Sequence, residues 1–122
     1  DAQRLQELDA QRWPDLPAHD LQEYALLLAD AEQTDKAKEV LRNLLARRGE
    51  SYPKPTLLYG RLLLAEGNAA GLQYLEQAVG LSPALAEDCI RIGCQWLYQH
   101  QSEAAADDWY AKIVEQLDDE SS

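Results

Sequence analysis

Two histidines, two cysteines, a few serines and several neighbouring acids are the side chains of this chain that could do chemistry. His19 and His100 lie 81 residues apart, each near an expected helix end. There a surface histidine is expected instead of a base or ligand. Ser51, Ser82, Ser102, Ser121 and Ser122 fall in turns or in the tail, with no His–Asp pair placed to activate them. The acids of Glu87-Asp88 and Asp107-Asp108 are adjacent in sequence, so on a helix their side chains diverge and suit a solvated face. Cys89 and Cys94 are five apart, roughly 8.6 Å between Cα atoms on an ideal helix, beyond the about 7 Å that a disulfide spans. No histidine or third cysteine stands near them, so they read as packed free thiols in a reducing compartment. The sequence has no HExxH, no glycine-rich phosphate loop and no calcium loop. Catalysis is not expected of this segment, and no metal or cofactor is implied.

Charge narrows the partners. A net charge of −11 argues against nucleic acid, because phosphate contacts need a basic surface. The charge is unevenly spread: residues 1–35 carry −7, residues 36–61 carry +5 and residues 62–122 carry −9. The basic band is either a solvated face or a device for steering an acidic partner or a sister domain. At 46% hydrophobic residues the chain can bury a core, which Leu and Ala must supply because Phe and Met are absent. No apolar run nears the roughly 20 residues of a membrane span, so direct insertion is not expected. Nothing resembles a signal peptide. The chain starts at Asp1 without Met and is expected to be a piece of a longer protein.

The elements that position these residues repeat. Ala37, Gly71 and Ala105 are successively 34 apart, and Leu41, Leu75 and Trp109 repeat that interval with large apolar side chains. A third register runs Leu44, Ala78 and Lys112, its last member polar. Upstream, Tyr24-Ala25, Tyr59-Gly60 and Ile92-Gly93 pair a large residue with a small one, and Leu28, Leu63 and Trp96 follow them at spacings of 35 and then 33. Such a period predicts helix–turn–helix units that cannot bury their faces alone and therefore stack. Helices are expected over 2–12, 18–31, from Thr34-Asp35 as an N-cap pair to Arg47-Arg48-Gly49, from Pro53 to Glu66, over 69–80, 84–98 and 102–117, with Ser102 as a cap. Trp13 is expected to plug a gap between helices. Asp118–Ser122 lacks an apolar anchor and should fray.

These residues resemble the tetratricopeptide repeat, in which a small residue of helix A lets helix B pack closely. Gly60, Gly93, Ala37 and Gly71 stand where that family has small side chains, and Pro83 stands where it ends a repeat. Leu21, Thr56 and Cys89 replace its frequent Trp, and Lys112 replaces a usual Ala. The resemblance implies an all-α, right-handed superhelical stack of helical hairpins. It would comprise an N-terminal helix and connector (1–17), three repeats (about 18–51, 52–83 and 84–117) and an acidic tail (118–122).

The resemblance also implies a function: a non-catalytic scaffolding module whose concave groove, lined by the first helix of each repeat, binds a peptide, a helix or a neighbouring domain of the same parent chain. In this register repeat one offers Gln22 and Leu26. Repeat two offers Lys54, Leu57, Arg61 and Leu64. Repeat three offers Ile90, Arg91, Cys94, Leu97 and Tyr98. The family's clamp for C-terminal carboxylates is missing here, because Gln22 and Leu26 hold its Lys and Asn positions. The groove reads as apolar with one strong cation, Arg61.

A narrower resemblance rests on 58–65, Ala69-Ala70-Gly71-Leu72, Leu75-Glu76-Gln77-Ala78, Leu81-Ser82-Pro83, Cys89 and Tyr98. It looks like the C-terminal repeat region of bacterial membrane-linked zinc metallopeptidases related to CAAX prenyl proteases. That alternative makes the segment a substrate-recruiting or regulatory appendage at the cytoplasmic face of the membrane. A longer scaffold for secretion or envelope assembly is the other alternative, and it admits a periplasmic setting.

Overall fold

A computed structural model describes residues 2–9, 15–47 and 52–121. Among them the protein is all-helical, with α1 Ala2–Asp9, α2 Ala18–Asp30, α3 Thr34–Leu45, α4 Pro53–Ala65, α5 Gly71–Leu81, α6 Ala86–His100 and α7 Glu103–Ser121. A 3-10 turn, Pro83–Leu85, precedes α6. No helix among the described residues is long and apolar enough to cross a membrane. The chain divides into two compact units, Asp1–Ser51 and Tyr52–Ser122.

In the first unit α2 and α3 form a hairpin. Leu21, Tyr24, Ala25 and Leu28 of α2 are fully buried, as are Ala37, Val40, Leu41 and Leu44 of α3. This is the apolar stripe expected of amphipathic helices. Helix α1, too short to persist alone, is tied down by side chains. Leu8 is fully buried, and Arg4 Nε donates to Glu23 Oε1 at 2.6 Å. Asp9 Oδ1 accepts from the Tyr24 hydroxyl and from Lys36 Nζ, the latter at 3.0 Å. Arg47 Nη2 donates to the Leu16 carbonyl at 2.6 Å, holding the segment before α2. The expected continuation of α1 to residue 12, the Trp13 plug and the Arg48-Gly49 end of α3 lie outside the described residues.

The α2–α3 turn differs from its expected cap. Glu32 adopts a positive φ of 64°, its N–H bonds the Ala29 carbonyl and the Gln33 N–H bonds the Leu28 carbonyl. That pair of bonds is a Schellman closure. Helix α3 starts at Thr34 itself, with Gln33 at the cap and no side-chain cap bond. The closure leaves only three residues between the helices, so Thr34 and Asp35 fall inside the first turn, where Asp35 still favours the helix dipole.

The second unit holds α4–α7. Pro53 and Pro55 open α4, tolerated in a first turn whose N–H groups need no partner inside the helix. The end of α4 repeats the Schellman geometry, with Gly67 at φ 81° and bonds from Gly67 N to Leu64 O and from Asn68 N to Leu63 O. Gly60 and Gly71 bring α4 and α5 together: a Cβ built on Gly60 would stand 2.8 Å from the Gly71 carbonyl. Tyr59 and Tyr74 meet edge to face across the same hairpin, with centroids 4.7 Å apart. In the α6–α7 hairpin Gly93 lies under the Trp109 indole, where a Cβ would overlap the ring.

Leu64, Leu75, Val79, Cys89, Trp96, Leu97, Trp109 and Ile113 belong to one core spanning α4–α7. Lys112 does not enter it; its ammonium pairs with Glu76 Oε1 at 2.5 Å while the adjacent Ile113 is fully buried. Ser102 caps α7 as expected, its hydroxyl accepting from Ala105 N at 3.1 Å. Helix α7 runs past Leu117 to Ser121, with no Gly or Pro after Leu117 to break it.

Candidate functional site

Helices α4 and α6, the first helices of successive hairpins, are joined at one polar point. The C-terminal carbonyls of a helix lack partners within it. The Leu64 carbonyl, one of these on α4, accepts both the Gly67 N–H at 2.9 Å and the buried Trp96 Nε1–H at 2.7 Å. Trp96 thus satisfies its indole while its ring fills the space beside α4. His100, one turn later on α6, stacks on that ring with centroids 4.4 Å apart and planes 10° from parallel. A carbonyl only accepts, so His100 Nδ1, 3.0 Å from the Trp96 carbonyl, is the donor.

Above this joint lies a groove of about 370 Å³. Helix α4 lines it with Arg61, Leu64 and Ala65, and α6 with Ile92, Gln95, Trp96, Gln99 and His100. The surface mixes aliphatic and aromatic walls with two amides and one guanidinium. Arg61 is exposed and makes no ion pair among the described residues. A groove of this composition can hold apolar side chains while bonding an acidic or carbonyl group.

The residues expected at the binding surface distribute unevenly. Lys54 and Arg61 are exposed on α4, and Leu57 between them is half-buried and packed against the core. Leu64 and Leu97 are 3% exposed and belong to the core, Leu64 at the same time bordering the groove from α4. Ile90 and Cys94 pack against the core, and the Cys94 thiol lies 3.8 Å from the Ala106 carbonyl. Arg91 pairs with Asp88 at 2.9 Å. Tyr98 is 54% exposed, but its hydroxyl pKa is raised chiefly by Asp107, with burial and Glu103 adding to the effect, so it belongs to the α6–α7 side. Gln22 is half-buried and Leu26 is exposed on α2 in the other unit. On α6 the groove residues are therefore Ile92, Gln95, Trp96, Gln99 and His100. The sequence register hints at two of them, the large residues Ile92 and Trp96.

The thiols carry no nucleophile signature. Burial, then Asp88, pushes Cys89 up to about 11, and burial raises Cys94 as well. A thiol so shifted stays protonated at neutral pH. Among the described residues no three of His, Cys, Asp and Glu are grouped as metal ligands. No family model matches the chain, and no curated protein matches it.

Proposed function

We propose that this chain is a non-catalytic binding module, a short stack of tetratricopeptide-like hairpins that holds a peptide or helix of a partner protein or of a neighbouring domain. The observation that carries the reading is the α4–α6 groove: an apolar and amide-lined trough with the exposed Arg61 guanidinium at its edge. The small residues at Gly60, Gly71 and Gly93, each at a close helix approach, support the repeat architecture. Two aligned Schellman turns, with Glu32 and Gly67 35 positions apart, support it as well.

The test is selection of a displayed random-peptide library on the wild-type chain with counter-selection on Arg61→Glu. Enriched peptides that bind wild type at micromolar affinity and lose at least tenfold on Arg61→Glu are expected. Absence of any enriched sequence, or binding indifferent to Arg61→Glu, would contradict the groove as the site.

A further inference from the structure

The unit Tyr52–Ser122 carries four cations against eleven acids. Two of the cations are consumed locally, Lys112 by Glu76 at 2.5 Å and Arg91 by Asp88 at 2.9 Å. The other two, Lys54 and Arg61, make no ion pair among the described residues and are both exposed on α4. They are seven residues apart, two helical turns, which puts them on one face about 10.5 Å apart along the axis. Leu57 sits between them, packed against the core on one side and partly open to solvent on the other, and the exposed Ala65 follows Arg61 one turn on.

The free positive charge of an otherwise acidic unit is thus confined, among the described residues, to one line on one helix, spaced by an aliphatic side chain. We infer that this stripe docks an acidic amphipathic helix of a partner protein, whose carboxylates recur at seven-residue spacing with an apolar residue between them. The acidic remainder of the unit repels such a partner everywhere else and so fixes where it lands. The small Ala65 leaves room for close approach, and Arg61 extends the contact into the α4–α6 groove. This inference rests on the binding-module reading and specifies its partner.

The test uses three synthetic helical peptides against the full chain, followed by fluorescence anisotropy. One carries Glu seven residues apart with Leu between, one has the same composition with the Glu spacing scrambled, and one is a neutral apolar amphipathic helix. The seven-spaced peptide should bind about tenfold tighter than the scrambled one, the order expected of two exposed ion pairs. Lys54→Glu/Arg61→Glu should abolish that preference and instead accept a peptide with Lys at the two Glu positions. Matching circular dichroism spectra would show that the double variant is folded. Equal binding of the scrambled peptide would reveal unspecific attraction to anions and overturn the register. Binding of the neutral helix alone would overturn the acidic partner yet leave the binding module standing. If no peptide binds, this inference is overturned, and the library selection separately decides the module reading.

Discussion

Trp96 Nε1 donates to the Leu64 carbonyl at 2.7 Å, a bond across 32 residues that ties the end of α4 to the middle of α6. It uses a carbonyl that the helix itself leaves short of partners, so it adds an interhelical link without breaking an intrahelical one. The same indole is the floor of the groove and the platform for His100.

Trp96→Phe should therefore cost about 1–2 kcal/mol, one net buried hydrogen bond plus a small packing loss. Leu64 O would keep its bond from Gly67, which limits the damage. Trp96→Ala should cost about 3–5 kcal/mol. Urea denaturation followed by far-ultraviolet circular dichroism measures both.

Gly60→Leu should destabilise the second unit by at least about 3 kcal/mol, because the new side chain meets the rigid Gly71 backbone and Tyr74 rather than a flexible tip. Gly93→Ala should also destabilise, through overlap with the Trp109 ring. A thermal midpoint unchanged in Gly60→Leu would contradict the close approach of α4 and α5.

The two Schellman turns make opposite predictions. Glu32 holds a left-handed φ of 64° that a glycine adopts freely, so Glu32→Gly should stabilise by up to about 1 kcal/mol. A Cβ at Gly67 would touch nothing within 4 Å, yet Gly67→Ala should cost about 1 kcal/mol through backbone strain alone. Differential scanning calorimetry of the two variants checks both signs.

Acid should loosen α1 before the rest of its unit. The Tyr24 hydroxyl bond, then the Lys36 bond, holds Asp9 below the ordinary 3.8. A lowered carboxyl contributes stability that is present above the unfolded pKa and lost as pH falls through the folded value. The loss thus falls below about pH 4, and Asp9→Asn should flatten that limb of the stability profile. At the other end Tyr24 is raised above 10.0, mainly by burial, and Lys36 above 10.5, mainly by its bond with Tyr24. Both contributions are full below those unfolded values and disappear as pH climbs through the raised folded ones. Denaturation midpoints from about pH 2 to 6, for wild type and Asp9→Asn, read the acid limb.

Much of this architecture is legible in the sequence. The 34-residue interval of Ala37, Gly71 and Ala105 marks the second helices, and Gly60 and Gly93 mark positions where a neighbouring helix comes close. Ser102 is readable as a cap because its hydroxyl acts locally. The Glu32 turn is not, since a glutamate gives no sign of a left-handed backbone and Thr34-Asp35 imitates a capping pair. The groove departs from its expected lining for a geometric reason. One residue of register rotates a helix face by about 100°, enough to exchange Cys94 and Tyr98 for Gln95 and Gln99. Leu97 of α6 is covered within the core, and Leu64 of α4 is held against Gly71 of α5 while still bordering the groove. The Trp96–Leu64 bond joins a side chain to a backbone carbonyl, and a sequence does not announce such a pairing.

The claim that the α4–α6 groove is where a partner sits is tested most directly by nuclear magnetic resonance titration of the labelled chain with a peptide from the library selection. Saturable shifts are predicted at the Trp96 indole and at the amides of Arg61, Gln95 and Gln99, with the Trp109 indole unmoved. Shifts that spare Trp96 and cluster on α7 or on the first unit would contradict it.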